Sequence, residues 1–178
     1  MADAGFLLLM LACAGQPDPE PAVAEVQTLQ QRIGEPDLMS IDDIKAHRVE
    51  LARRMQTDPD PRVRADIASA LGYTARDVDS IPALVEALRT EHDVSVQRRL
   101  VAVLVSFQRP AATDAVVRFA LGEVDEGLMP EVHSALVGCD PAQVQAALAA
   151  HEAEHPDAVA RLRAALCELL PAAVYCTE

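Results

Sequence analysis

Apolar residues recur along this chain in two alternating stripes. Val63, Ile67, Ala70 and Leu71 return 33 residues later as Val96, Leu100, Val103 and Leu104. They return after a further 32 as Leu128, Val132, Ala135 and Leu136, and more weakly as Ala158, Leu162, Ala165 and Leu166. Offsets of 0, 4, 7 and 8 place such positions on one face of a helix with 3.6 residues per turn. A second stripe follows each first one: Leu51 with Met55, Leu84 with Leu88, Val117 with Leu121, and Val144 with Leu148 after a shortened connection. Each unit reads as helix, turn, helix, and such units bury their apolar faces by stacking on their neighbours.

The helix breakers agree with this frame. Asp58-Pro59-Asp60-Pro61, Pro82, Pro110, Pro130, Asp140-Pro141 and Pro156 fall at or near expected helix starts, where a missing backbone N–H costs little. Gly72, Gly122 and Gly138 fall where helices are expected to stop. Upstream, Val26, Leu29 and Ile33 mark a helix from about residue 21 to 33, ended by Gly34 and Pro36. Ser40-Ile41-Asp42-Asp43 then reads as an N-cap opening a helix through Met55. This pair is the expected first repeat, and Gln27, Gln30 and Gln31 suit an exposed cap.

The stretch Asp60-Pro61-Arg62-Val63-Arg64-Ala65-Asp66-Ile67-Ala68-Ser69-Ala70-Leu71-Gly72 resembles the HEAT-like repeats of bacterial proteins, whose consensus reads roughly D-P-x-V-R-x-x-A-A-x-A-L-G. Asp93-Val94-Ser95-Val96-Gln97 lacks the Pro and the second Arg, and His155-Pro156-Asp157-Ala158-Val159 is looser. The resemblance covers roughly residues 40 to 170. It implies an all-α fold over residues 22–170, a right-handed α-solenoid of about four HEAT-like helical pairs plus a terminal helix, with 171–178 as a tail. It also implies that the second helix of each pair lines the concave side. It carries no chemistry of its own.

Composition narrows the partners. Only 3% of residues are aromatic and none is Trp, which suits helix seams filled by Ala, Val and Leu. The formal charge of −13 with a single Lys, Lys45, argues against nucleic acid, because phosphate binding needs a basic stripe.

The first residues form a different kind of segment. Phe6 through Ala12 is an apolar run, too short to span a bilayer but suited to the apolar region of a secretory signal. Met10-Leu11-Ala12-Cys13 resembles the lipobox of bacterial lipoproteins, which implies acylation of Cys13 and a periplasm-facing, membrane-anchored protein in the bacterial envelope. Residues 1–14 are then the signal, and 15–21, with Pro17, Pro19 and Pro21, a stiff tether. Met1-Ala2-Asp3-Ala4-Gly5 lacks the positive charge of a signal, and Met10 stands where Leu is usual. Cleavage after Ala14 by ordinary signal peptidase gives a secreted protein, and no cleavage leaves a cytoplasmic one.

Three cysteines remain. In an oxidising compartment Cys167 pairs with Cys176, or Cys139 with either of them, leaving one thiol free. Reduced, two of them are small apolar residues in helix seams.

One string has the look of catalysis. His151-Glu152-Ala153-Glu154-His155 reads H-E-x-x-H, a pattern that in zinc peptidases puts two ligands and a general base on one helix. Here Ala153 and Glu154 replace the bulky apolar and uncharged residues those enzymes carry, and Pro156 ends the helix between the two His or just after. No metal site is expected. His47, His92 and His133 lack a following Glu, so the ligand set of HEAT-like di-iron hydroxylases is absent. The HEAT-like bilin lyases are the alternative from the enzyme class, against which stands the scarcity of aromatic residues. No catalytic residue and no cofactor is expected.

What remains is protein binding, and the polar positions of the second helices are its candidates: Glu50, Arg53, Arg54, Glu86, Arg89 and Arg118. Arg62, Arg64, Arg98, Arg99, Arg161 and Arg163 lie on first helices and are expected to pair with Asp in neighbouring turns. The sequence reads as a non-enzymatic scaffold or adaptor that grips a protein partner.

Overall fold

The computed structural model describes residues 41–73 and 78–176. The helix expected near 21–33, the 1–14 signal with Cys13 and the 15–21 tether lie outside them. Among the described residues there are eight α-helices and no strand: α1 (Ile41–Thr57), α2 (Pro61–Tyr73), α3 (Ile81–Thr90), α4 (Val94–Ser106), α5 (Pro110–Ala120), α6 (Met129–Val137), α7 (Pro141–Glu152) and α8 (Pro156–Leu169). Single turns of 3-10 helix lie at Val78–Ser80 and Val174–Cys176.

The starts are written in the sequence as expected. Pro61, Pro110, Pro141 and Pro156 are the first residues of their helices, and Pro82 and Pro130 the second. Helix α4 has no proline and is capped instead by Asp93, whose carboxylate accepts from the backbone N–H of Ser95 and Val96. Asp140 likewise accepts from Ala142 at the start of α7.

The helices form an α-solenoid of two rows, α1, α3, α5 and α7 along one and α2, α4, α6 and α8 along the other. Both apolar stripes meet between the rows. Leu51, Val63, Ile67, Leu84, Val96, Leu100, Leu136, Val144, Leu148 and Leu166 are fully buried, each worth roughly 1.5–3 kcal/mol relative to exposure.

Three features depart from the sequence reading. First, the helices that pack on each other across short turns are α1 with α2, α3 with α4, α4 with α5 and α7 with α8, whereas α2 and α3 make few contacts. The D-P-x-V-R stretch therefore opens the second helix of a hairpin. A 33-residue period fixes the repeat length but has no phase, so it does not say where a unit begins. Second, Gly72 is the last residue but one of α2, next to the expected stop, and has a further role: a Cβ there would stand 2.6 Å from Val103 Cγ1. It is a packing glycine. Together with Ala65, Ala68 and Ser69 it lets α4 approach closely. Third, residues 171–176, expected as part of a tail, pack on the stack. Ala173 and Tyr175 are 3% and 1% exposed, and the Val174–Cys176 turn packs on α7 and α8.

Candidate functional site

The helical row that carries the candidate binding residues is α1, α3, α5 and α7, and a polar clamp sets its position against the other row. Arg64, at the start of α2, donates from Nε and Nη2 to the two carboxylate oxygens of Glu91 in the α3–α4 turn, at 2.8 and 2.9 Å. Its Nη1 donates to the carbonyls of Asp58 and Pro59 in the α1–α2 turn. Glu91 accepts in addition from the N–H groups of His92 and Asp93, and its carbonyl takes a bond from Gln97 Nε2. Burial alone would raise the Glu91 carboxyl, but the bonds from Arg64 and from the two backbone N–H groups outweigh it and hold it below its ordinary value.

Beside this clamp lies a groove of about 390 Å³ between the C-terminal ends of α3 and α5. Val85, Leu88, Ala115 and Phe119 give it an apolar floor, and Arg89, Arg118, His92, Gln97 and Glu123 its polar rim. Arg89 donates from Nε and Nη2 to Glu86 one turn back, and these bonds hold the Glu86 carboxyl below its ordinary value. Arg118 donates from Nη2 to Asp114, whose other oxygen lies 2.9 Å from His151 Nε2 on α7. Nη1 of Arg89, and Nε and Nη1 of Arg118, have no partner among the described residues.

HEAT repeats match residues 48–129, which hold every residue of the groove. That part of the chain is similar to HEAT repeats. No curated protein and no solved structure matches it.

The HEAT stack brings some of the sequence candidates together and separates others. Arg89 and Arg118 share the groove, and Glu86 stands behind Arg89. Glu50 and Arg53 pair with each other on the exposed face of α1, and Arg54 pairs with Asp58; none of the three lines the groove. The pairs Arg53–Glu50, Arg89–Glu86 and Arg118–Asp114 each lie within one helix and hold side chains in place rather than joining repeats. Bridges between repeats occur in both rows: Arg64 with Glu91 and Arg98 with Glu131 in one, where glutamate stands in place of the expected aspartate, and Asp114 with His151 in the other. Phe119, His92, Gln97 and Glu91 were not among the sequence candidates. Phe119 is one of three Phe in the chain, and that scarcity was the available signal.

The H-E-x-x-H string is divided by the fold. His151 is helical, α7 ends at Glu152, and His155 is an exposed N-cap of α8. Among the described residues no three His, Cys, Asp or Glu are grouped to hold a metal, and no helix is long and apolar enough to cross a membrane. Cys167 is joined to Cys176, and Cys139 is a free, buried thiol.

Proposed function

We propose that the protein is a non-enzymatic scaffold that takes a short protein segment in the groove between α3 and α5. One observation carries this reading: an apolar floor of Val85, Leu88 and Phe119 lies beneath two guanidinium groups that pair with Glu86 and Asp114 and whose remaining N–H groups have no partner among the described residues. Prefixed donors over apolar surface bind a segment at little ordering cost. An extended segment with one apolar side chain and a nearby carboxylate or carbonyl satisfies both halves of the site. We propose further that acylated Cys13 tethers the stack to an envelope membrane, a reading supported by Met10-Leu11-Ala12-Cys13.

Selection of a displayed peptide library on the purified protein tests the groove. The expected result is a family of peptides with an apolar residue next to an acidic one, losing at least tenfold in affinity against Arg118→Glu or Phe119→Ala. Affinities unchanged by both substitutions, with the helical circular dichroism intact, would place the binding elsewhere. Intact mass of the protein from its own host tests the tether, which requires an acylated chain beginning at Cys13.

A further inference from the structure

The two guanidinium groups of the groove are held differently. Arg89 meets Glu86 side-on, with Nε on one carboxylate oxygen at 2.9 Å and Nη2 on the other at 2.6 Å. Arg118 meets Asp114 through Nη2 alone, at 2.9 Å. Side-on pairing uses both oxygens and is the stronger arrangement, so its absence at Arg118 needs a cause.

The shortness of aspartate is not that cause. Arg62 meets Asp60 side-on, with Nη2 on one oxygen at 3.1 Å and Nε on the other at 3.4 Å. What sets Asp114 apart is a second partner. Its Oδ1 lies 2.9 Å from Nε2 of His151, in the last turn of α7. An ionised carboxylate only accepts, so Nε2 carries the proton and donates. The side chain of His151 is 13% exposed and that of Arg118 60%, so of the two donors to Asp114 the histidine is the one sheltered from competing water. One carboxylate thus gives one oxygen to the next repeat and the other to its own helix. His151 is the first histidine of the H-E-x-x-H string, whose two histidines the fold separates.

We propose that His151 is a positioning residue of the groove: by holding Oδ1 of Asp114 it keeps Arg118 from closing side-on onto that carboxylate, and so leaves Nε and Nη1 of Arg118 for an acidic group of the bound segment. This rests on the groove between α3 and α5 being the binding site. Arg118 then presents two nitrogens without a partner among the described residues where Arg89 presents one, which makes Arg118 the main anchor for that acidic group. Helix α7, which contributes no residue to the groove lining, acts on it through this one histidine.

Exchange of the arginine Nε–H protons with water, read by nitrogen-15 NMR on the full-length protein, tests this without a ligand. The Nε–H of Arg118 is expected to exchange at least fivefold faster than that of Arg89, which Glu86 shields. Equal rates in the unsubstituted protein overturn the proposal, whatever the variants do. In His151→Leu the Arg118 proton is expected to slow to the Arg89 rate, and in His151→Gln, whose amide still donates to Asp114, to stay fast. An Arg118 rate that His151→Leu leaves unchanged or raises overturns the role of His151, as does a slowing that His151→Gln shares. A peptide from the displayed library separates this role from the groove itself. Its affinity is expected to fall at least tenfold in Arg118→Glu and at least threefold in His151→Leu, and to recover in His151→Gln. Loss in Arg118→Glu without loss in His151→Leu overturns the positioning role alone. No loss in either strikes the groove reading, and this role with it.

Discussion

Arg64 and Glu91, 27 residues apart, face each other through two parallel hydrogen bonds of 2.8 and 2.9 Å, with side chains 17% and 9% exposed. The pair joins the α1–α2 turn to the α3–α4 turn, and so holds one hairpin in register on the next. Replacing Glu91 by Gln leaves a guanidinium largely out of water with its charge unmatched. The expected cost is about 2–4 kcal/mol, toward the lower part of the range for a broken buried pair because Arg64 keeps its bonds to Asp58 and Pro59. Urea denaturation followed by circular dichroism measures it, and a loss below half of that would mean the clamp is decorative.

The same pair sets an acid limit. Glu91 is held below its ordinary value of about 4.5 in the folded protein despite the opposing effect of burial. Its contribution is therefore fully present above the unfolded value and is lost as pH falls through the folded one. Asp93 acts in the same direction, held down by the Ser95 hydroxyl and then the Val96 N–H at the α4 cap. The melting temperature is expected to fall between pH 5 and pH 3, with a shallower slope for Glu91→Gln. Parallel slopes for the two proteins would remove Glu91 from the account.

The Asp93 cap is separable from the clamp. Asp93→Ala removes the acceptor for the N–H groups of Ser95 and Val96, and such losses cost about 1 kcal/mol. Asp93→Asn keeps an acceptor oxygen and is expected to recover most of that while flattening the acid slope. Thermal melts at pH 7 and pH 4 distinguish the two effects.

The helices and their buried faces were legible because 3.6 residues per turn leaves a mark in the spacing of Val63, Ile67 and Leu71 or of Val96, Leu100 and Leu104. The grouping into hairpins was not, since a repeat looks the same from any starting point. Gly72 stands beside the end of α2 as its residue type suggested, but its close approach to Val103 was not legible, because one residue type serves both as a helix stop and as a place for close approach. At the groove, Arg89 and Arg118 were found as polar positions of the second helices, while His92 comes from the α3–α4 turn, Gln97 from α4, and Phe119 from α5 beside Arg118. The Val174–Cys176 turn and the residues before it have no periodicity at all. Their structure comes from Tyr175 and a disulfide whose pairing three cysteines left open.

Gly72 makes a prediction whose sign depends on its neighbour. An added methyl would meet Val103 Cγ1 at 2.6 Å and Cβ at 3.4 Å, and a β-branched side chain in a helix cannot turn aside. Gly72→Ala sets a gain of about 1 kcal/mol in helix propensity against an overpacking cost of about 1–3 kcal/mol, so it is expected to destabilise or at best to be neutral. In a Val103→Ala background the clash is gone and Gly72→Ala is expected to stabilise. A double-mutant cycle with no coupling between the two positions would refute the close approach of α2 and α4.

Gln108 gives the last test, because its backbone and its side chain pull in opposite directions. It sits in the α4–α5 turn with φ of 51°, a left-handed conformation that costs a non-glycine residue about 1–2 kcal/mol. Its amide compensates, donating to Val105 at 2.9 Å and to Gly138 in the α6–α7 turn at 3.4 Å. Gln143 returns a bond to the Gln108 carbonyl and accepts one from Thr113, so two successive turns are tied together. Gln108→Ala keeps the strain and loses the amide bonds, with an expected cost of about 1 kcal/mol. Gln108→Gly loses the same bonds but not the backbone freedom, and is expected to be about 1 kcal/mol more stable than the alanine variant. Measured against each other, the two variants isolate the backbone. Equal stability would mean that the left-handed turn is free of cost and that the amide bridge alone keeps glutamine there.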